Sequence, residues 1–181
     1  MKAYFILLMG ILTFLSGIVW ACQPQAEKKK KVEIENLDEK IINANKLIVR
    51  DESKDIALLL QRYGWKMEST GTGMYYAIES KGEGALLQKG DAVDIAYNIS
   101  LISGKEVYNS KKEGLKTIRI EQSDEPAGLH ELLKMMKVGD KAKAIIPSHL
   151  AYGILGDNNL IPPYATLIYR IEIINFHINN K

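Results

Sequence analysis

The sequence predicts an α+β protein in which a helical hairpin precedes a domain of several strands and one short helix. Two periodicities support this fold class. Apolar residues recur at steps of three and four in residues 34–63, whereas they alternate with mostly polar neighbours in residues 93–101. The chain has 181 residues, of which 46% are hydrophobic and 25% are charged, and this composition is typical of one compact core.

Residues 1–21 predict a signal peptide. Lys2 gives a positive start, and residues 4–19 form an uncharged, nearly continuous apolar run. This run is shorter than the roughly 20 residues that span a bilayer, which favours a cleaved signal over a permanent helix. Ala21 stands directly before Cys22, the only cysteine, and this ending resembles the signal of a bacterial lipoprotein. The resemblance implies that Cys22 is lipidated and holds the chain on a membrane; an uncleaved anchor with an incidental cysteine is the alternative.

Residues 22–32 predict a flexible stalk, because proline, glutamine and lysine leave almost nothing to bury. Residues 33–66 predict the helical hairpin. A polar segment separates its two apolar stripes and offers Asp51 or Ser53 as the N-cap of the second helix, which Gly64 closes. Such a hairpin would pack on the following domain, extend a binding surface or dimerise through an apolar stripe.

Residues 74–178 predict the strand-rich domain. The strands that the alternation indicates are residues 93–101, 106–110, 116–120, 141–146 and 166–176. A turn at Gly104 follows the first of them, and one helix, residues 129–136, interrupts the series. Asp157 and Asn159 predict a turn and nothing more.

Three motifs in this domain are specific enough to indicate a family. Val138-Gly139-Asp140 is followed by Leu150-Ala151-Tyr152-Gly153 and then by Ile161-Pro162-Pro163-Tyr164. In this order and spacing they resemble the FKBP-type peptidyl-prolyl isomerases, and the resemblance covers residues 74–178. It implies an antiparallel sheet of about five strands wrapped around a short helix, with an apolar pocket between them. The signal, Cys22, the hairpin and this domain together are most similar to the FKBP-type lipoproteins of gliding bacteria.

The resemblance also implies which residues form the pocket. Four residues match catalytic, pocket-lining positions of the family: Tyr97, Tyr152, Ile161 and Tyr169, of which Tyr169 replaces the usual phenylalanine. Four others mark altered parts of the pocket: Val107, Tyr108, Pro126 and Leu129. The Val107-Tyr108 pair replaces Phe-Asp, which shrinks one wall and removes a carboxylate, although the Tyr108 ring can refill the wall. Leu129 is the smaller residue accepted at the pocket floor, and Pro126 has no N–H to offer a substrate backbone.

The reaction of this family is rotation about an Xaa-Pro amide, over a barrier of about 18 to 20 kcal/mol. No covalent bond breaks, so no cofactor, metal or nucleophile is expected. One cysteine and three dispersed histidines form no visible metal-binding pattern. A net charge of +2 is too small to predict a nucleic-acid partner. The partners implied are proline-containing polypeptides, and the oligomeric state stays open.

Together these features predict a lipid-anchored, exported isomerase on the periplasmic side of the bacterial cell envelope, where it assists folding or assembly. Two alternatives remain. The altered pocket at Tyr108 and Pro126 is compatible with a non-catalytic FKBP-like chaperone or binding module of an envelope machine, such as a gliding-type machine. In the other alternative, the chain is a structural subunit of an envelope machine and docks through the helices of residues 34–63.

Overall fold

A computed structural model describes residues 25–177 of the chain. Its elements follow in the order α1 (Gln25–Tyr63), β1 (Glu68–Ser69), β2 (Tyr75–Ser80), β3 (Ala92–Leu101), β4 (Glu106–Asn109), α2 (Ser110–Glu113), β5 (Lys116–Arg119), α3 (Ala127–Leu133), β6 (Lys141–Ile146) and β7 (Leu167–His177). The sheet lies in the compact unit Ile48–Lys181. This order confirms the predicted α+β class.

The described strands form one antiparallel sheet in the order β1-β2-β6-β7-β3-β4, and β5 also pairs with β3. Each of the strands predicted from alternation is present, with bounds that differ by one residue at most. The sheet also contains β1 and β2, which pair beside β6. Most residues of β2 are half-buried, so buried and exposed positions do not alternate along it. Without this alternation, the strand was not predicted from the sequence.

Strand β7 lies between β3 and β6 and joins the two halves of the sheet. It pairs with β3 along ten positions. Tyr169 of β7 lies opposite Ile99 on one side and Ala144 on the other. Because directly opposed residues point to the same face of a sheet, this register brings the three side chains together in the main core.

Helix α3 packs against the core face of the sheet. It begins after Pro126, and five of its seven residues are buried. Gly128 lies so close to β6 that an added Cβ would be 2.5 Å from Ile146 Cγ2, so a larger residue would push the helix away. The predicted combination of an antiparallel sheet with a short helix on one face is therefore confirmed. The helix spans Ala127–Leu133 instead of residues 129–136, and the second short helix, α2, was not predicted.

The predicted helical hairpin at residues 33–66 is wrong. Helix α1 continues through the polar segment that was predicted to separate two helices. The Ser53 hydroxyl donates to the Val49 carbonyl oxygen, four residues earlier, at 2.8 Å. Ser53 thus bonds back into the helix instead of capping a new one. Gly64 ends the helix as predicted, with a φ of +63°.

The predicted flexible stalk at residues 22–32 is wrong for the part that the structure describes. Residues 25–32 belong to α1. Alanine, glutamine, glutamate and lysine, which make up most of this segment, have high helix propensity. Residues 1–24, with the predicted signal peptide and Cys22, lie outside the described residues. Within residues 25–177, no helix has both the length and the apolar character needed to cross a membrane.

The C-terminal part of α1 packs against the outer face of the sheet. Ile56 and Leu59 are buried against Ile145 of β6 and Ile168 of β7, in a second and smaller core. Packing on the following domain, one of three arrangements expected, therefore holds for this part of the helix. The other two arrangements stay predictions, and they concern apolar residues of α1 that are exposed: Leu37, Ile41, Ile42 and Leu47.

Glu52 of α1 binds two positions at the ends of the connection between β6 and β7. Its Oε1 accepts hydrogen bonds from the Ser148 N–H and from the Thr166 hydroxyl, both at 2.9 Å. Ser148 and Thr166 are themselves buried. A buried donor that lacks an acceptor costs about 1 to 3 kcal/mol. Glu52 therefore stabilises both ends of this connection.

We expect Glu52→Ala to lower the free energy of unfolding by about 1 to 3 kcal/mol, because it leaves two buried donors without their acceptor. Chemical denaturation of the purified chain measures this change. Asp55→Ala is the matched control, since Asp55 lies on the same helix and is exposed. The control should change the free energy by less than about 0.5 kcal/mol. Equal stabilities of the two variants would contradict the role of Glu52.

Candidate active site

A cavity of about 370 Å³ opens between strands β3 and β4 and the connection that follows β6. Aromatic and apolar side chains form its wall: Tyr97, Ile99, Tyr108 and Tyr152. Polar side chains complete it: Glu113, Lys116, Asp157 and Asn159. The volume lies within the range of pockets that hold small ligands, and it is large enough for a prolyl side chain with its neighbours.

Tyr97 enters the cavity from the middle of β3. Its N–H donates to Ser110 Oγ at 2.9 Å, and its hydroxyl donates to Glu113 Oε2 at 2.9 Å. Burial, followed by the bond to this carboxylate, raises the pKa of Tyr97 to about 12. The Tyr97 hydroxyl is therefore protonated at neutral pH and already has an acceptor within the protein.

The connection between β6 and β7 carries Tyr152 and Ile161. It folds back on itself, since the Asp157 N–H donates to the Ile161 carbonyl oxygen at 3.1 Å. Gly156 has a φ of +67°, and a Cβ at this position would lie 2.2 Å from the same carbonyl oxygen. Only glycine permits this close approach, so the sequence at Gly156 sets the shape of the loop.

Asp157 holds this loop to β4. Its Oδ1 accepts hydrogen bonds from the Ile161 N–H at 2.8 Å and the Asn159 N–H at 2.9 Å, and its Oδ2 accepts one from the Tyr108 hydroxyl. Burial alone would raise the pKa of Asp157, but these hydrogen bonds outweigh it and lower the pKa. Tyr108 stands where the family has an aspartate, and Asp157, in the connection between β6 and β7, thus supplies a carboxylate to the cavity.

Tyr152 is the cavity tyrosine whose hydroxyl no carboxylate of residues 25–177 accepts. The hydroxyls of Tyr97 and Tyr108 are bound to Glu113 and Asp157. Burial raises the pKa of Tyr152 to about 12, and the negative charge of Glu125 adds to this effect. Tyr152 therefore presents a neutral hydroxyl donor at the cavity.

Four of the predicted site residues lie in the core against which the cavity tyrosines pack. Val107, Leu129, Ile161 and Tyr169 are at most 7% exposed, and none of them lines the open cavity. Burial raises the pKa of Tyr169 far above its ordinary value. These residues therefore shape the cavity from behind its wall, and the structure places three predicted residues, Tyr97, Tyr108 and Tyr152, at its surface.

Pro126 does not line the cavity. It is buried at the start of α3, where its carbonyl oxygen accepts from the Leu129 and His130 N–H groups at 2.9 and 3.2 Å. The preceding residue, Glu125, forms an ion pair with Lys116 at 2.6 Å. Lys116 belongs to the lining, so this ion pair fixes one charged side of the cavity.

The polar part of the cavity was not predicted from the sequence. Asp157 lies in a turn, as predicted, but its carboxylate also binds a tyrosine 49 positions earlier. One hint was present in the sequence, which is that Tyr108 stands where the family has an aspartate. A half-buried tyrosine hydroxyl needs an acceptor, so a carboxylate from another part of the chain could be expected beside it. Among residues 25–177, no three His, Cys, Asp or Glu side chains come together in a way that could hold a metal ion.

Comparison with known proteins identifies the domain around this cavity. The model of the FKBP-type peptidyl-prolyl cis-trans isomerase family matches residues 84–174, just over half of the chain. The chain belongs to this family. The matched range contains every residue that the family resemblance implied for the pocket, from Tyr97 to Tyr169.

Bacterial relatives show the same family. The chain is 31% identical over 175 residues to the FKBP-type peptidyl-prolyl cis-trans isomerase FkpA of Buchnera aphidicola subsp. Baizongia pistaciae (strain Bp), over 93% of this chain and 67% of that protein. It is 31% identical over 148 residues to FkpA of Buchnera aphidicola subsp. Acyrthosiphon pisum (strain APS), over 78% of this chain and 61% of that protein. The crystal structure of FkpA from Escherichia coli is similar with a TM-score of 0.62 and 26% identity, over 96% of this chain and 81% of that chain. The chain thus spans about three fifths to two thirds of the length of these two curated relatives.

We expect Asp157→Asn to destabilise the chain at neutral pH and to lose this effect in acid. Because the folded-state pKa is lowered, the carboxylate contributes fully above the unfolded pKa of about 3.9, and its contribution disappears as the pH falls through the folded pKa. The loss at pH 7 should be about 1 kcal/mol, the usual size for one hydrogen bond. Denaturant titrations between pH 7 and pH 3 measure the difference from the wild type.

Asp124→Asn is the control for this titration, since Asp124 is exposed on the same domain. It should stay close to the wild type at every pH. A destabilisation by Asp157→Asn that is as large at pH 3 as at pH 7 would show that the charge of Asp157 does not hold the loop.

Proposed function

We propose that this chain catalyses the cis-trans isomerisation of Xaa-Pro bonds in polypeptides. The tyrosine-walled cavity within a domain of the isomerase family carries the proposal. Two of the three cavity hydroxyls are bound to carboxylates, and the Tyr152 hydroxyl is the one that a substrate carbonyl can engage. The cavity thus combines a wall of tyrosine rings and Ile99 with the Tyr152 hydroxyl as a donor.

The proposed reaction requires an apolar surface around the prolyl ring and a hydrogen-bond donor. It requires neither a general acid nor a nucleophile. Rotation about the Xaa-Pro bond removes amide resonance and meets a barrier of about 18 to 20 kcal/mol. The twisted amide has less charge separation than the planar one, so a cavity that excludes water favours the twisted form. Ile99 and the tyrosine rings provide such a surface for the prolyl ring.

Tyr152 would hold the substrate during this rotation. A hydroxyl with a pKa of about 12 keeps its proton at neutral pH, so it donates a hydrogen bond and does not act as a base. Its acceptor would be a carbonyl oxygen next to the proline. The rings of Tyr97 and Tyr108 act as wall, since their hydroxyls are engaged by Glu113 and Asp157.

A non-catalytic binding module is the second candidate, and the altered wall at Val107 and Tyr108 is the observation that favours it. Val107 is buried in the core and leaves Tyr108 to form this part of the wall. A protein of this kind would hold proline-containing segments without accelerating their rotation.

We further propose that the chain works on the periplasmic side of the bacterial cell envelope, anchored by a lipidated Cys22. The apolar run that ends at Ala21-Cys22 supports this location. Each buried methylene contributes about 0.8 kcal/mol, and two or more acyl chains hold a protein stably on a bilayer. Its substrates would then be exported polypeptides that fold or assemble in the envelope. The similarity to the lipoproteins of gliding bacteria, and a structural role of α1 in an envelope machine, stay predictions.

The test of the isomerase is the cis-to-trans relaxation of a short Leu-Pro or Phe-Pro peptide in the presence of the purified full chain in detergent. We expect the wild type to accelerate this relaxation in proportion to its concentration. Tyr152→Ala should reduce the catalysed rate about tenfold or more, because it removes the donor and part of the wall, and about 1.4 kcal/mol corresponds to a tenfold rate. Circular dichroism checks that the variant is folded.

Tyr63→Ala is the control, since Tyr63 is an exposed tyrosine at the end of α1. It should keep the wild-type rate. If the folded wild type does not accelerate the relaxation of the peptide, the isomerase proposal fails and the binding module takes its place. If Tyr152→Ala is fully active, the reaction does not depend on Tyr152.

The anchor is tested by Cys22→Ala in a bacterial host. We expect the wild type in the membrane fraction and the variant in the soluble periplasmic fraction, because the thiol is the group that receives the lipid. Gln23→Ala, one position later, keeps the thiol and should stay with the membranes. A processed Cys22→Ala chain that remains in the membrane fraction would contradict lipidation.

A further inference from the structure

The candidate active site carries negative charge that the proposed reaction does not use. Among the charged side chains that line the cavity, Lys116 is a cation, and Glu113 and Asp157 are anions. Lys116 forms an ion pair with Glu125 at 2.6 Å, so a carboxylate outside the lining already balances its charge. The charges of Glu113 and Asp157 are therefore left at the cavity without a cation of the lining to neutralise them.

Neutral donors hold these two carboxylates in place. Glu113 Oε2 accepts a hydrogen bond from the Tyr97 hydroxyl at 2.9 Å. Asp157 accepts one from the Tyr108 hydroxyl and two from backbone N–H groups. Such donors orient a carboxylate and stabilise its charged form, but they do not cancel its charge. No lysine, arginine or histidine of residues 25–177 forms an ion pair with either carboxylate.

The lysines closest to Glu113 in the sequence are engaged or face elsewhere. Lys112 forms an ion pair with Glu106 at 2.8 Å. Lys111 lines a different groove and does not belong to the lining of the cavity. Lys116 is engaged in the ion pair described above. The Glu113 side of the cavity is therefore negative.

Glu113 is the carboxylate that a substrate side chain can reach. It is the last residue of α2 and is exposed, and its Oε1 accepts no hydrogen bond from any other described side chain. Asp157 is half-buried, and both of its oxygens already accept hydrogen bonds. The hydrogen bond from Tyr97 keeps the Glu113 carboxylate beside the tyrosine wall, where the neighbours of a bound proline would lie.

We propose that Glu113 is a specificity-determining residue, which makes this site favour substrates with a lysine or arginine next to the proline over substrates with an acidic residue there. The inference rests on the proposed isomerase function. A carboxylate without a cation attracts a substrate cation and repels a substrate carboxylate, and such complementarity distinguishes between substrates. Because Glu113 is exposed, water screens part of this effect.

Peptides that differ in one residue test the inference with the purified full chain in detergent. One set contains Lys-Pro, Gln-Pro and Glu-Pro, and a second set places the same three residues after the proline, so that both neighbours are tested. In at least one set, we expect kcat/KM for the lysine peptide to exceed that for the glutamate peptide about fivefold at low salt, the size expected for an exposed charge pair. Equal values for the lysine and glutamate peptides in both sets would overturn the inference.

Glu113→Gln removes the charge and keeps an oxygen that accepts from the Tyr97 hydroxyl. We expect the ratio of kcat/KM between the lysine and glutamate peptides to fall about threefold in this variant, which circular dichroism shows to be folded. If Glu113 only held Tyr97 in place, the variant would slow all peptides by the same factor. An unchanged ratio would therefore overturn the inference.

Glu83→Gln is the matched control, since Glu83 is exposed and does not line the cavity. It removes the same charge from the chain and should keep the wild-type ratio. If this control lowers the ratio as much as Glu113→Gln does, the total charge of the chain sets the preference and the role of Glu113 is wrong.

The salt dependence of the wild type gives a second test that needs no variant. The Debye length falls from about 30 Å at 0.01 M salt to about 3 Å at 1 M salt. We expect the ratio between the lysine and glutamate peptides to decrease toward that of Glu113→Gln over this range. A preference that salt leaves unchanged would not be electrostatic, and the inference would fail.

The failure of this inference differs from the failure of the proposed function. A folded wild type that accelerates none of these peptides overturns both. An active wild type that treats the lysine and glutamate peptides alike overturns the role of Glu113 and leaves the isomerase in place.

Discussion

The pairing of β3 with β7 is the constraint on which both the core and the cavity depend. It extends over ten positions, and the other edge of β7 pairs with β6. Because neighbouring residues of a strand point to opposite faces, a slip of β7 by one residue would bring Ile168 to the core face and turn Tyr169 toward α1. The same slip would remove Ile168 from Ile56 and Leu59. One register therefore fixes the main core, the outer core beneath α1 and the residues behind the cavity wall.

The strands that carry this pairing could be predicted because one face of each is apolar along most of its length. Alternation is visible in β3 and β7, and their predicted bounds are correct within one residue. Strands β1 and β2 form by pairing with each other and with β6, which no local pattern indicates. The helical hairpin failed for a different reason. Asp and Ser are good N-caps, but Ser53 bonds back to Val49 within α1, and the segment contains no glycine or proline to interrupt a helix.

The site was predictable in its residue types and not in its hydrogen bonds. The resemblance to the family was enough to expect Tyr97, Tyr108 and Tyr152 in one pocket, and all three line the cavity. The replacement of an aspartate by Tyr108 indicated a lost carboxylate, yet Asp157 provides one from 49 positions away. A carboxylate from a loop can serve a strand residue only if the two lie close together in the fold. No periodicity in a single sequence indicates such a distance.

The partners of the tyrosine hydroxyls, more than the number of tyrosines, decide what this pocket can do. Tyr97 and Tyr108 donate to carboxylates, which fixes their rings and leaves them only their faces to offer a substrate. Tyr152 keeps its hydroxyl at the cavity. Burial and the negative charge of Glu125 raise its pKa, so this hydroxyl stays protonated. Tyr169 is buried in the core and does not line the cavity, so its ring supports the wall from behind. Glu113 and Asp157 hold the other two rings in place, and the Tyr152 hydroxyl is therefore the tyrosine hydroxyl whose acceptor is left to a substrate.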